Sequence, residues 1–278
     1  MKIEEFAPAK VNLTLHVTGR RADGYHLLDS LVVFAGVGDR VTVEASDALS
    51  LTLAGPEAAG LVADRDNLVL KAARFFDPGF RARITLWKAL PVASGIGGGS
   101  ADAAATLRAL SRLTGRPLPA PGEAATLGAD VPACLRGRAL RLRGIGELLE
   151  VVPRIPPFEI LLVNPRVTVP TPSVFASLTE RWNPAMNDDL PDWPDVTAFC
   201  AWLRRHRNDL SEPARRVAPV IDDVLALVRE TGCLHAGMSG SGATCFGLYP
   251  ADGSTAAAAE AFVRLRRPDW WSASGAVS

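Results

Sequence analysis

The sequence predicts a chain of mixed strands and helices in two units, and three observations predict it. Polar and apolar residues alternate strictly at 10–18 and again at 81–87, which marks strands. Four glycines, Gly95, Gly97, Gly98 and Gly99, open an Ala-rich segment in which Leu107, Leu110 and Leu113 recur at helical spacing. Near 153–157 the composition turns proline-rich, and the uninterrupted apolar run at 160–163 that follows suits a buried strand of a second unit. The division expected is 1–155 and 156–278.

Composition narrows the class further. The 278 residues are 48% hydrophobic, and 30 Lys plus Arg balance 30 Asp plus Glu, so the chain lacks the positive excess of a nucleic-acid binder. Cys134, Cys200, Cys233 and Cys245 have neither metal-type nor redox-type spacing and read as buried free thiols. Residues 1–6 carry no apolar leader and no run reaches membrane-spanning length. A reducing, cytoplasmic setting with neither membrane nor nucleic acid as partner is expected.

The alternation at 10–18 puts Val11, Leu13, Leu15 and Val17 on one face and Lys10, Asn12, Thr14, His16 and Thr18 on the other. By itself this reads as a half-exposed strand with a solvated polar face. The turn Gly19-Arg20-Arg21-Ala22-Asp23-Gly24 then delivers Tyr25 and His26, a pair suited to stacking on a base and bonding its edge, or equally to capping a core edge. Strands are expected at 31–34, 40–44 and 49–53, and Asp66 and Asn67 are placed to cap a helix that carries Leu68, Val69, Ala72, Ala73 and Phe76 inward. After the strand at 81–87 come Lys88, the glycine loop and its helix, which Gly115 stops.

Past a Pro-rich link and a short helical stretch, Asp130 stands in Leu127-Gly128-Ala129-Asp130-Val131-Pro132, held at a corner between a glycine and a proline. It suits an Asx turn, a helix cap or a functional carboxylate. Strands at 139–143 and 148–152 complete the first half. In the second, helices are expected at 171–178, carrying Phe175, and at 196–204, 217–229 and 255–266. A further glycine cluster, Gly237-Met238-Ser239-Gly240-Ser241-Gly242, precedes a strand at 243–249.

A glycine loop that opens a helix presents unpaired amides at the positive end of the helix dipole, a phosphate site; a flexible turn before a packed helix is the alternative. No Gly-Lys-Ser or Gly-Lys-Thr follows, and Ser100 stands where the third glycine of the dinucleotide fingerprint would fall. Neither common phosphate loop is present.

Taken together, Pro8-Ala9-Lys10-Val11-Asn12-Leu13, the segment 91–107 and the segment 237–246 resemble the three motifs of the GHMP kinase superfamily, and their order spans nearly the whole chain. Asp23-Gly24-Tyr25-His26 and the segment around Asp130 resemble the branch that phosphorylates cytidine-diphosphate methylerythritol on the non-mevalonate route to isoprenoid precursors. Other GHMP small-molecule kinases, of the mevalonate, homoserine or galactose type, and a non-catalytic nucleotide-sensing module are the alternatives.

The resemblance implies an α+β fold of two domains, the N-terminal one like domain 2 of ribosomal protein S5 and the C-terminal one ferredoxin-like. It implies transfer of the ATP γ-phosphoryl group to the 2-hydroxyl of that small-molecule substrate, with Asp130 as general base and Lys10 as its electrostatic partner. Asn12 would hold the acceptor hydroxyls. Tyr25 and Phe175 would sandwich the cytosine, His26 would bond its edge, and Thr171 would lie near the diphosphate. Asn67, Leu68 and Lys88 would lie by the adenine, and Pro91, Val92, Ala93, Ser94, Gly95, Ile96, Gly97, Gly98, Gly99, Ser100 and Ala101 would bind ATP. Mg2+ would arrive as Mg-ATP without a named protein ligand, and the enzyme would be a monomer or weak homodimer. The chain departs from the family pattern at Ala93, where glycine is frequent, and at Ala101 and Asp102, where serine and asparagine are common. A carboxylate at Asp102 suits the helix dipole but repels a phosphate unless it points away.

Overall fold

The computed structural model describes residues 1–187 and 189–277. In chain order the elements are β1 (Lys2–Asn12), β2 (His16–Arg20), β3 (His26–Ala45), β4 (Ser50–Ala54), α1 (Leu68–Phe76), β5 (Ala82–Trp87), α2 (Gly98–Thr114), α3 (Pro121–Ala124), α4 (Val131–Arg136), β6 (Leu140–Gly144) and β7 (Leu148–Val151). There follow β8 (Phe158–Asn164), α5 (Thr171–Ala176), α6 (Val196–Leu203), α7 (Ser211–Val217), α8 (Val220–Glu230), β9 (His235–Met238), β10 (Cys245–Pro250), α9 (Thr255–Arg266) and β11 (Trp271–Ala276). They form two compact units that interleave along the chain: 1–10, 38–92 and 97–137 in the first, and 11–37, 93–96 and 138–277 in the second.

In the first unit the later half of β3 pairs antiparallel with β5, and β4 flanks β5 in parallel. Val41, Val43, Ile84 and Leu86 supply the sheet's buried residues. Helix α2 is buried from Ala101 to Leu107 without a gap, so its alanines are packing residues: a small side chain on every face lets neighbouring backbones approach. Glycines in the left-handed conformation bound it, Gly97 (φ 66°) before and Gly115 (φ 72°) after, as the sequence predicts. Asn67 caps α1 by accepting from the Val69 amide.

In the second unit the first half of β3 pairs with β2 and β6, and β6 with β7. A separate four-stranded sheet has the order β11-β8-β10-β9 and is antiparallel throughout. Helices follow its first and third strands, the β-α-β-β-α-β plan of a ferredoxin-like fold. Leu161, Val163, Val224, Val228 and Val263 join in the core between sheet and helices.

Four expectations need correcting. The strand at 10–18 breaks after Asn12, because the Leu13 amide bonds the Leu31 carbonyl (2.8 Å) and the Leu15 amide bonds the Arg207 carbonyl (2.9 Å). Nor is its polar face solvated, since Lys10, Asn12, Thr14 and His16 are each 5% exposed or less. The strands at 31–34 and 40–44 are one, β3, which continues through Gly36 and Gly38. The helix at 217–229 starts late: Pro219, which cannot continue a helical hydrogen-bond ladder, separates α7 from α8. Strand β11 had no signal, because Ser272, Ser274 and Gly275 blur its alternation.

Candidate active site

In the first unit, β1 carries Lys10 and the turn before α4 carries Asp130. Asp130 occupies the N-cap position of α4 yet makes no side-chain cap bond. Its Oδ1 instead accepts from Lys10 Nζ at 2.8 Å, across 120 residues of sequence. The Lys10 side chain is 6% exposed and that of Asp130 37%, so a desolvated ammonium steadies a carboxylate whose other side faces solvent. A carboxylate so held is oriented to accept a proton. A β-carbon added at Gly97 would lie 3.2 Å from Lys10 Cβ, so the start of α2 lies against the lysine stem.

Gly98, Gly99 and Ser100 form the first turn of α2, where amides have no partner four residues back. Gly98 has a second neighbour: its β-carbon position is 3.1 Å from Lys88 Nζ. Here expectation and structure part. Lys88 is 3% exposed, and its Nζ donates to Asp39 Oδ2 (2.5 Å) and Asp102 Oδ2 (3.0 Å). Its ammonium points into the protein, where two carboxylates outbid any adenine edge. Asp102 is buried and pairs with Lys88 behind the start of the helix, so its carboxylate meets an ammonium there instead of lying open to a phosphate.

In the second unit, Ala93 (φ 52°) and Gly95 (φ 76°) turn the loop through the left-handed region. A β-carbon at Gly95 would stand 2.6 Å from the Gly242 carbonyl oxygen and 2.8 Å from that of Ser239, so no other residue fits there unshifted. Ser239 Oγ donates to the Gly95 carbonyl and accepts from the Asn12 amide, both at 3.0 Å. One buried hydroxyl therefore joins three segments distant in sequence. Asn12 Nδ2 donates to Ser30 Oγ (2.8 Å), and the Thr244 amide bonds the Ser94 carbonyl (3.2 Å). Ile96 is in the core and Val92 is half exposed.

The same unit brings His26 and Phe175 together as a stack, centroids 4.7 Å apart and planes 22° apart, with Tyr25 exposed beside them in sequence. Phe175 thus covers His26. Burial, then the charges of Arg20 and Arg181, lower the His26 pKa, so its ring is neutral at physiological pH, and its buried Nε2 has no partner among the described residues. Thr171 Oγ1 and Ser241 Oγ share a hydrogen bond of 2.8 Å. In the first unit, a pocket of about 670 Å3 is lined by Leu68, Thr126 and Leu127 and edged by Arg65, Arg74 and the ion pair of Lys71 with Asp66 (3.1 Å). Leu68 lies against Gly99, whereas Asn67 spends its polar atoms on the Val69 amide and the Val62 carbonyl.

Two family models match the chain: the GHMP kinases N terminal domain over 67–138 and the GHMP kinases C terminal domain over 190–267. A 4-diphosphocytidyl-2-C-methyl-D-erythritol kinase of Ruegeria pomeroyi is 60% identical over 278 residues, covering 100% of both chains. The chain belongs to the GHMP kinase family. A relative of the same name from Rhodospirillum rubrum is 53% identical over 276 residues, covering 96% of this GHMP kinase and 90% of the relative. The crystal structure of a 4-(cytidine 5'-diphospho)-2C-methyl-D-erythritol kinase superposes with a TM-score of 0.77 at 35% identity, over 99% of each chain. The homoserine kinase of Cytophaga hutchinsonii shares the fold, with a TM-score of 0.66 at 20% identity over 100% of this chain and 94% of that one.

In this GHMP kinase, sequence reasoning missed Ser239, Asp39 and the partnership of Asp102. Ser239 was visible only as part of a glycine-rich cluster, and a lone aspartate 49 positions from its lysine carries no signal at all. Among the described residues no group of three or more His, Cys, Asp or Glu side chains is arranged to hold a metal ion, and no helix is long and apolar enough to cross a membrane. All four cysteines are free, with Cys134, Cys200 and Cys245 buried.

Proposed function

We propose that this kinase transfers the γ-phosphoryl group of ATP to the 2-hydroxyl of 4-diphosphocytidyl-2-C-methyl-D-erythritol, with Asp130 taking the hydroxyl proton and Lys10 steadying the carboxylate. The observation that carries the chemistry is the 2.8 Å pair of Lys10 and Asp130 against the start of α2. The acceptor oxygen forms a bond to the γ-phosphorus as the bond from that phosphorus to the β,γ-bridging oxygen breaks. ADP leaves, and the proton moves to Asp130. Little covalent work falls to the protein, so alignment and charge stabilisation dominate, alignment alone being worth on the order of 7–11 kcal/mol.

The amides of Gly98, Gly99 and Ser100 suit the triphosphate, and the pocket beside Leu68 suits the nucleoside end of ATP, its rim carrying Arg65 and Arg74 beside the pair of Lys71 with Asp66. Lys88 contributes from behind the loop and not at the adenine. Tyr25, His26 and Phe175 are the cytosine contacts: two aromatic faces and a neutral imidazole with an unspent nitrogen are the chemistry a base requires. Asn12 and Thr171 serve the acceptor and its diphosphate. Asp130 and Asp102 are each paired with a lysine, and Mg2+ would arrive on the ATP oxygens.

The boundary at 155/156, with one family model on each side of it, the cytoplasmic setting, favoured by free cysteines, and a monomer or weak homodimer belong to the same proposal. A competition assay tests the substrate: with Mg-ATP, purified enzyme consumes 4-diphosphocytidyl-2-C-methyl-D-erythritol far faster than mevalonate, homoserine or galactose. Preference for any of those three would reject the assignment.

A further inference from the structure

We propose that the buried cluster of Asp39, Lys88 and Asp102 positions the start of α2 for ATP, and that Asp102 is the residue through which alkaline pH weakens that positioning. The inference rests on the reading that α2 receives the ATP phosphates.

The geometry is that of a clamp. Lys88 Nζ sits 3.1 Å behind the β-carbon position of Gly98 and is gripped by Asp39 (2.5 Å) and Asp102 (3.0 Å). The other oxygen of Asp39 accepts from the amides of Ala89 (2.6 Å) and Leu90 (2.8 Å), fixing the segment that leads into the glycine loop. Each of the three side chains is 5% exposed or less, so water does not relax the arrangement.

The charges do not balance if both carboxylates are ionised. One ammonium against two carboxylates leaves a net negative charge, in a poorly screened interior, directly behind the amides offered to a triphosphate. With one proton on Asp102 the cluster is neutral. Its Oδ1 is buried without a partner among the described residues, a poor setting for an ionised oxygen. Burial first, and then the neighbouring Asp39, push this carboxyl up to about 8 against the pull of Lys88. The charged groups that face it are Lys88, beyond β5, and Asp39 on β3. From α4 comes the Cys134 thiol, itself pushed up to about 12 and silent below that, and α1 buries only apolar residues.

The experiment measures direct ATP binding by calorimetry on the full chain, together with the KM for each substrate, from pH 6.5 to 9.5. In the wild type the Kd and KM for ATP rise several-fold, about fivefold or more, as pH crosses 8, while the KM for the alcohol substrate does not follow. In Asp102→Asn, which mimics the neutral carboxyl, the ratio of the ATP Kd at alkaline pH to that at neutral pH falls to about one, the alkaline rise being lost. An alkaline rise retained in Asp102→Asn would overturn the proposal. So would a wild-type profile flat from pH 7 to 9, which requires no folded variant. Because the binding arm uses ATP alone, an error in the alcohol substrate leaves it intact, whereas absence of ATP binding at every pH would reject the phosphate-loop reading and the proposal with it.

Discussion

Replacing Asp130 by Asn separates chemistry from architecture. At 2.8 Å the gross attraction between Lys10 and Asp130 is about 6 kcal/mol at an effective dielectric of about 20. The Asp130 side chain is 37% exposed, so water screens much of this, and the amide oxygen of Asn still accepts a hydrogen bond from the buried ammonium. The net loss of stability is therefore about 1–2 kcal/mol, a fall in Tm of roughly 3–6 °C. Turnover suffers more, because an amide cannot take the proton. Loss of a general base lowers kcat by about 10²–10⁴, or about 3–5 kcal/mol of barrier. The KM for ATP stays within about twofold, since the α2 amides are untouched. The assay is ADP release at saturating substrates with a thermal melt of the same sample. Lys10→Met should resemble Asp130→Asn, and the double variant should be scarcely worse than either, as for groups acting as one unit. An Asp130→Asn enzyme retaining more than about a tenth of wild-type kcat would refute the base assignment.

Tyr25→Ala should raise the KM for the cytidine substrate about tenfold, as expected for one lost base-stacking face, with the KM for ATP unchanged; equal effects on both would remove Tyr25 from the cytosine site. Ala93→Gly should stabilise the fold by about 1 kcal/mol, because Ala93 holds a left-handed backbone (φ 52°) at a Cβ-dependent cost; a thermal melt with no gain would contradict it. Asp102 also links pH to stability. With its pKa raised from 3.8 to about 8, the folded chain keeps a proton that the unfolded chain releases, so stability contributed below the ordinary carboxylate range is lost progressively as pH rises to about 8. Denaturant melts of wild type and Asp102→Asn across that window should therefore diverge, the variant gaining relative stability with rising pH; parallel curves would show that Asp102 is ionised throughout.

The glycine run, its helix and the stop at Gly115 were legible in the sequence, because αL glycines and helix caps are local chemistry that a few neighbouring residues decide. The N-cap of α1 and the succession of strand, glycine loop and helix were legible for the same reason. The functional reading of Lys10, Asn12, Tyr25, His26 and Asp130 came from motif resemblance, since alternation alone left a solvated strand face and a helix cap as fair readings. Those readings failed on burial. Residues on both faces of 10–16 lie inside the protein, and Asp130 spends its carboxylate on Lys10 while leaving its own helix uncapped. Lys88 shows the limit most clearly: the family resemblance implies a place by the adenine, yet Asp39, 49 positions earlier, and Asp102 turn its ammonium inward.

By itself the sequence determined the loop and most of the helices, because these rest on spacing within short windows, and pointed to the family through the resemblance of three motifs along nearly the whole chain. Which polar groups face one another was decided only by tertiary structure. Ion pairing and desolvation act through space, and partners such as Lys10 and Asp130, or Asn12 and Ser239, lie 120 and 227 residues apart along the chain.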